Sequence, residues 1–249
     1  MKNHAGTILW RTALDAVFPR RCPVCDRAVR PFGRLICREC EEDLFPRMLS
    51  EQDALCCCCG RPLTDPRAEF CRGCEGVTHA CRRGGAAYRY RDVSGALYRL
   101  KYEGRAEYAD WMGEQMADCL LRNFAGERID ALTPVPVSKE RARRRGYNQA
   151  ALLARRISAI TGIPVHEEYL IRREDTAVLR EMGALDRRSK IKNAFIAPID
   201  DVKSKIIVLI DDIYTTGATV DACAAQLLQR GAGTVYYVAF AVGEDLQTE

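Results

Sequence analysis

The 249-residue chain predicts an α/β domain with a mainly parallel sheet, preceded by a small cysteine-rich module. Two observations support this prediction. Eleven of the thirteen cysteines lie between Cys22 and Cys81, and from about residue 85 onward apolar strand patterns alternate with amphipathic helix patterns. We therefore expect a cysteine-rich module over 1–83 and an α/β domain over 84–249.

The cysteine-rich module contains an internal repeat. Segments 22–40 and 56–74 both read CxxC, eleven residues, CxxC, and they lie 34 residues apart in register. Each CxxC turn presents two sulfurs, and two such turns complete the tetrahedron that Zn²⁺ prefers. We expect one or two structural zinc ions, held by Cys22, Cys25, Cys37 and Cys40 in the first repeat and by Cys56, Cys59, Cys71 and Cys74 in the second.

Some features of the module stay open at this stage. A cross-braced pairing between the two repeats is an alternative to pairing within each repeat. Cys57, Cys58 and Cys81 lie outside the repeated pattern. A lone histidine is more often a surface or core residue than a ligand, so His79 is not assigned to a metal.

Composition indicates a globular protein in a reducing compartment. Hydrophobic residues make up 47% of the chain, and clustered CxxC pairs in a reducing environment favour metal over disulfides. No signal-peptide pattern and no apolar run of about 20 residues is present, so we expect a cytoplasmic protein with no membrane span. Two four-thiolate zinc sites of about −2 each would cancel the formal charge of +4, which makes the basic character local.

Apolar spacing predicts the elements in chain order. Residues 7–18 have helical spacing ended by Pro19. In the α/β domain, residues 86–93 predict a strand and turn. Further strands are predicted at 131–137, 205–210 and 235–242, and helices at 107–124, 148–162 and 219–233.

The segment IVLIDDIYTTGATV at 207–220 indicates a ligand site. Asp211 and Asp212 follow a buried strand directly, and ligands of open α/β sheets bind beyond the carboxyl ends of the strands. Residues 215–219 add hydroxyls, a glycine and the amides of a helix N-terminus, which suit a phosphate. Paired carboxylates beside a phosphate site fit a ribose 5-phosphate; the plainer alternative is a helix cap in an ordinary loop.

The same segment closely resembles the phosphoribosyl-pyrophosphate (PRPP) loop of type I phosphoribosyltransferases. Nearly all of 22–243 resembles the ComF family, which joins zinc repeats to such a domain and is linked to competence for DNA uptake. The likeness rests on CPVC, CREC, CCCCGRPL, LKYEGR, PVPVSKERARRRGYNQA, KNAF and the loop itself. It implies the type I phosphoribosyltransferase fold, and PRPP or a nucleotide 5-phosphate bound with Mg²⁺.

By this resemblance, Asp211 and Asp212 are the catalytic pair and bind the ribose hydroxyls. The residues expected to contact phosphate groups are Thr215, Thr216, Gly217, Ala218, Thr219, Lys101, Lys139 and Arg145. Purine-salvage members have an aspartate, the general base, at the position of Thr215, so that route to activating a nucleobase is missing here.

The basic run KERARRR at 139–145 leaves the function open between several classes. Three interpretations of the run stay open: a solvated face, a diphosphate site and a single-stranded DNA site. For the last of these, the candidate nucleic-acid contacts are Arg141, Arg143, Arg144 and Tyr147. The first hypothesis is a phosphoribosyltransferase. The alternatives are a non-catalytic DNA-binding competence factor with a helicase-like partner, and a PRPP-sensing regulator. A homodimer is also possible.

Overall fold

The computed structural model describes residues 19–30, 33–52, 54–173 and 194–243. The helix expected at 7–18 lies outside these residues. The strands of the described part are β1 (Gly84–Arg89), β2 (Ala131–Pro134), β3 (Ile171–Arg172), β4 (Phe195–Ile196), β5 (Ile206–Tyr214) and β6 (Thr234–Val242). Its α-helices are α1 (Arg38–Leu44), α2 (Tyr90–Tyr102), α3 (Ala109–Asn123), α4 (Lys139–Arg145), α5 (Gln149–Thr161) and α6 (Ala218–Gln229).

A four-stranded parallel sheet in the order β1-β6-β5-β2 forms the centre of the α/β domain. Beyond β2, an isolated parallel bridge joins Leu132 to Val165. The strands β3 and β4 pair with each other as a separate antiparallel ribbon. The expected α/β class with a mainly parallel sheet is therefore confirmed, because strand and helix alternate along the chain and the sheet strands all run the same way.

Side chains of the central strand β5 alternate between two cores, as the pleat of a strand requires. Val208 and Ile210 pack with α2, α3 and α5 in the first core. Ile207 and Leu209 pack with α6 in the second. The sheet is thus covered on both faces, which explains the nearly continuous apolar composition of β5 and β6.

The two cysteine repeats contact opposite faces of this sheet. Cys22 and Cys40 of the first repeat belong to the core with α2 and α3, whereas the tetrad of the second repeat belongs to the core with α6. Tyr237 on β6 donates a hydrogen bond from its hydroxyl to the carbonyl of Cys59, at 2.9 Å. The cysteine-rich module therefore shares its buried surface with the α/β domain.

Some predicted boundaries differ from the structure. The turn expected within 86–93 is the start of α2, whose N-cap is Arg89. The strand expected at 205–210 continues to Tyr214, so Asp211 and Asp212 lie inside β5 and not after it. The basic run folds as α4, with Ser138 capping its first turn and Gly146 in the left-handed conformation at its end. In the described residues, no helix is long and apolar enough to cross a membrane.

Candidate functional site

The cysteine tetrads have the geometry of structural zinc sites. In each repeat the four sulfurs lie within 4.8 Å of one another, and the grouping follows the repeats, not a cross-braced pattern. The Sγ atoms of Cys25 and Cys37 are 3.7 Å apart, and those of Cys59 and Cys71 are 3.6 Å apart. A tetrahedron with Zn–S bonds of about 2.3 Å has edges of about 3.8 Å, so both tetrads fit Zn²⁺.

The acidic doublet is divided between the two faces of the sheet. Successive side chains of β5 point to opposite faces of the sheet. Asp212 lies on the face that α2 covers, where its carboxylate forms an ion pair with Lys101 at 2.9 Å. Asp211 lies on the face of α6, and its Oδ1 accepts a hydrogen bond from the backbone N–H of Asp212 at 2.8 Å. This division explains how two adjacent carboxylates fit beside each other in a strand.

The carboxyl group of Asp211 resists ionisation. Burial raises its pKa to about 8, and the neighbouring charge of Asp212 adds to this increase. The backbone N–H of Asp212 and the ammonium of Lys101 act in the opposite direction. A buried carboxyl group with such a raised pKa is a candidate for function, because an ordinary surface carboxylate ionises at no comparable cost.

The loop after β5 leads into a helix N-terminus that lacks a side-chain cap. Gly217 is the N-cap of α6, with φ of +78°, and no side chain caps the first turn. The first amides of any α-helix have no intrahelical acceptor, so they can bind an anion together with the helix dipole. Thr215 and Thr216 are exposed beside these amides, and Thr219 is half-buried.

Gly217 is required by packing as well as by its backbone angle. A Cβ atom built at this position would lie 2.4 Å from the hydroxyl oxygen of Tyr214, far inside contact distance. The ring of Tyr214 in turn stacks on Tyr237 of β6, with centroids 4.5 Å apart. The bend of the loop is therefore fixed against the sheet.

Arg61 connects the second cysteine repeat to this loop, and the sequence had not indicated it as a site residue. Its guanidinium is buried and donates to the carbonyl of Thr215 at 2.9 Å and to that of Gly243 at 3.0 Å. It also lies 3.8 Å from the sulfur of Cys71. Only its place in CCCCGRPL, one of the segments that carry the family resemblance, could have drawn attention to it.

The remaining predicted phosphate contacts lie on the β2 side of the doublet. Pro134 at the end of β2 is in register with Ile210, and the Val135 amide donates to the Ile210 carbonyl, so the PVPVSK turn begins beside the doublet. Lys101 reaches Asp212 directly. Lys139 begins α4, and Arg145 at its end donates to Gln149 at 2.8 Å. The structure gives neither of these two a contact with the doublet.

An exposed surface of aromatic and basic residues borders Lys101; we call it the tyrosine–arginine surface. The rings of Tyr98 and Tyr102 are 5.1 Å apart, and more than half of each side chain is exposed. The guanidinium of Arg144 lies 5.9 Å from the Tyr102 ring centroid. Arg141 and Arg143 extend this surface along α4, where both are exposed. Tyr147, by contrast, donates its hydroxyl to the carbonyl of Leu100 at 2.5 Å and is only half exposed.

Comparison with known proteins agrees with this architecture. A family model described as a double zinc ribbon domain matches residues 13–75. The DNA utilization protein YhgH of Salmonella typhimurium is 29% identical over 218 residues, which are 86% of each chain. The competence protein ComFC of Bacillus subtilis is 29% identical over 187 residues, or 71% of this chain and 72% of ComFC. Together, these similarities support a ComF-family protein.

Other relatives match over shorter stretches. Competence protein F of Haemophilus influenzae is 36% identical over 104 residues, which are 41% of this chain and 45% of its own. Among solved structures, a glutamine PRPP amidotransferase from B. subtilis has a TM-score of 0.41 at 18% identity, covering 57% of this chain and 30% of its own. A purine phosphoribosyltransferase from Pyrococcus horikoshii has a TM-score of 0.36 at 18% identity, covering 53% and 74%.

Proposed function

We propose that this chain binds PRPP or a nucleotide 5-phosphate, with Mg²⁺, at Asp211, Asp212 and the loop 215–219. The observation that supports the proposal is the juxtaposition of two different recognition elements. A carboxylate doublet lies at the carboxyl edge of a parallel sheet, and the helix N-terminus that follows it has no side-chain cap. The carboxylates suit sugar hydroxyls and the amides suit a phosphate, so one phosphoribosyl ligand uses both.

Each residue of the proposed site has a separate task. The amides of 215–219 would bind the 5-phosphate, and the oxygens of Asp211 and Asp212 would accept hydrogen bonds from the ribose hydroxyls. Lys101, which is held 2.9 Å from Asp212, would contact the diphosphate. Bound Mg²⁺ would neutralise charge on the leaving diphosphate and so favour cleavage of the anomeric bond.

Within this proposal, the chain transfers the phosphoribosyl group to an acceptor with inversion at the anomeric carbon. Charge neutralisation is the main requirement of such a reaction, since loss of diphosphate leaves a cation-like ribose. Thr215 cannot act as a general base, so the acceptor must need little deprotonation or must bring its own base. If PRPP binds without turnover, the site serves a PRPP-sensing regulator. A pyrophosphate-release assay across a panel of nucleobases distinguishes these two functions.

Calorimetric titration with PRPP and Mg²⁺ tests the binding site. We expect Asp211→Asn/Asp212→Asn to weaken binding by about 10- to 100-fold, because a charged acceptor such as Asp212 contributes about 1.5–3 kcal/mol to a hydrogen bond. The chain offers a matched control in a second acidic doublet, Asp200→Asn/Asp201→Asn, where both side chains are mostly exposed. Absence of binding by the unmodified chain, or equal affinity in the two doublet variants, would refute the proposal.

The tyrosine–arginine surface favours a second candidate function, binding of single-stranded DNA. Stacked bases require exposed rings, and backbone phosphates require nearby cations; Tyr98 and Tyr102 provide the first, and Arg141, Arg143 and Arg144 the second. This surface adjoins the proposed phosphate site through Lys101, so a strand with a 5-phosphate could occupy both. The helicase-like partner, the homodimer and the cytoplasmic location stay predictions.

Fluorescence anisotropy with a labelled single strand at several salt concentrations tests this second function. Replacing Arg141, Arg143 and Arg144 by alanine should reduce the log–log salt slope by about 2, since each phosphate contact contributes about 0.7. Tyr98→Ala/Tyr102→Ala should weaken binding with the slope retained. Arg38→Ala, which replaces an exposed arginine of α1, is the control. An unchanged slope in the triple variant would remove the DNA function from this surface.

A further inference from the structure

The second cysteine repeat contains more metal-ligand atoms than one tetrahedral ion can use. Besides the buried tetrad, the sulfurs of Cys58 and Cys74 and one imidazole nitrogen of His79 all lie within 4.8 Å of one another. Cys74 belongs to both groups, so the two groups are adjacent. The first repeat has no such additional group among the described residues.

The surroundings of His79 are those of a histidine prepared to bind a metal. Its Nδ1 is 2.7 Å from Oδ2 of Asp221, and the other oxygen of Asp221 accepts the backbone N–H of Ala80 at 3.0 Å. A carboxylate that holds one ring nitrogen fixes the tautomer and leaves the opposite nitrogen as the electron-pair donor. Metal-ligating histidines usually have this type of second partner.

The free nitrogen of His79 supplies independent evidence for a ligand. The side chain is only 7% exposed, and its Nε2 has no hydrogen-bond partner in the described part of the chain. A buried polar atom without a partner costs about 1–3 kcal/mol, so an ordinary core histidine is a poor explanation. A metal ion at Nε2 would remove this cost.

We propose that Cys58, Cys74 and His79 hold an additional Zn²⁺ ion beside the tetrad, with the Cys74 thiolate bridging the two metals. Two sulfurs and one imidazole nitrogen form a donor set that Zn²⁺ favours. The three protein ligands leave one tetrahedral position, and the same three residues line part of a cavity of about 620 Å³. The cavity gives the ion a path of entry. This site is independent of the proposed ribosyl function.

The additional ion would also stabilise the start of α6. Asp221 lies in the first turn of that helix, and its backbone N–H donates to the Gly217 carbonyl at 2.8 Å. A metal on His79 would therefore be connected, through one carboxylate, to the helix whose N-terminus follows the loop 215–219. In this arrangement Asp221 is a positioning residue and not a ligand.

Zinc stoichiometry of the full-length chain, measured by competition with a chromophoric chelator, tests the proposal. We expect saturation at three equivalents for the unmodified chain and at two for Cys58→Ser and for His79→Ala. The run of four cysteines offers a matched control: Cys57→Ser changes an exposed neighbour that belongs to neither group and should retain three equivalents. Saturation of the unmodified chain at two equivalents would overturn the proposal, as would a third equivalent that persists in both ligand variants.

Asp221→Asn separates the positioning function from a general structural one. It should weaken binding of the third equivalent by about 10- to 100-fold, as expected for loss of a second-sphere carboxylate. The two tetrad equivalents should keep their affinities. Cobalt substitution gives a second readout, because the d–d absorption of the third equivalent should disappear in His79→Ala while that of the four-sulfur sites remains. Retained affinity for the third ion in Asp221→Asn would contradict the positioning function.

Discussion

The Asp211 carboxyl group is in a position where ionisation is unfavourable, and this makes stability depend on pH. Because burial raises its pKa to about 8, the folded chain retains a proton that the unfolded chain releases near pH 4. Between these values the native state binds more protons, so the free energy of unfolding decreases as pH rises. We predict that Asp211→Asn removes this decrease in unfolding free energy with rising pH.

Denaturant unfolding at constant zinc, at pH 6, 7 and 8, checks the prediction. Relative to Asp211→Asn, the unmodified chain should lose about 1–2 kcal/mol of unfolding free energy between pH 6 and pH 8. Asp200→Asn, which replaces an exposed carboxylate, controls for a general change in charge. Parallel pH profiles for the unmodified chain and Asp211→Asn would contradict the assignment.

Gly217 allows the close approach of the loop to Tyr214, and its replacement should be costly in a specific way. Gly217→Ala introduces two kinds of strain: an alanine in the left-handed backbone conformation, and a Cβ atom 2.4 Å from the Tyr214 hydroxyl oxygen. Gly146→Ala, with φ of +82° and no atom within 4 Å of its Cβ, adds only the first. We expect about 1 kcal/mol of destabilisation for Gly146→Ala and about 2–4 kcal/mol for Gly217→Ala. Equal unfolding free energies would mean that the contact carries no strain.

Residue-level prediction from the sequence succeeded where type and spacing carry the information. The CxxC spacing predicted both tetrads because the metal geometry itself sets that spacing. It did not reveal that Asp212 pairs with Lys101, since this contact joins residues 111 positions apart on two different elements, α2 and β5. The ligand group at His79 was missed for the same reason: its partners Cys58 and Asp221 come from different parts of the chain.

At the level of elements, Arg61 holds the loop after β5 to the second cysteine repeat. One planar guanidinium reaches the carbonyls of Thr215 and Gly243, a geometry that a lysine cannot reproduce. We predict that Arg61→Lys weakens PRPP binding by about tenfold, since two hydrogen bonds to a charged donor become one at best. Zinc content should stay unchanged.

Calorimetry and metal analysis on the same preparations test the function of Arg61. Arg67→Lys, on an exposed residue of the same repeat, is the matched control. If Arg61→Lys binds PRPP with the affinity of the unmodified chain while its zinc content is intact, the loop does not depend on this contact.

Element boundaries show which local signals were available in the sequence. The basic run has a serine before it and a glycine after it, the two caps of α4, and these could have indicated a helix. The extension of β5 to Tyr214 could not be predicted from composition, because Asp211 and Asp212 oppose strand propensity. Pairing with β6 along the whole strand overrides that preference.

For the whole molecule, the two cysteine repeats and the α/β domain should unfold as one unit. Each repeat buries cysteines in a core that it shares with the sheet, so loss of zinc removes support from both faces. Trp111 reports on the first core. A Trp10→Phe variant leaves Trp111 as the single tryptophan. In this variant, zinc removal should lower the melting temperature followed by Trp111 fluorescence by about 10 °C or more. An unchanged Trp111 transition would show that the modules unfold separately.

The docking of the repeats on opposite faces of the sheet is a property of the whole molecule. Sequence spacing defines each ribbon alone, whereas docking depends on contacts such as that of Tyr108 with Asp26, at 2.9 Å, and that of Tyr237 with Cys59. The spacing could therefore predict each tetrad, but not the cores that the repeats share with the sheet.

A crystal structure of the chain with ribose 5-phosphate and Mg²⁺ tests the central claim most directly. The account predicts phosphate oxygens within hydrogen-bonding distance of the amides of 215–219, and ribose hydroxyls facing Asp211 and Asp212. A phosphate bound at α4 instead, with the acidic doublet still occupied only by Lys101, would contradict it.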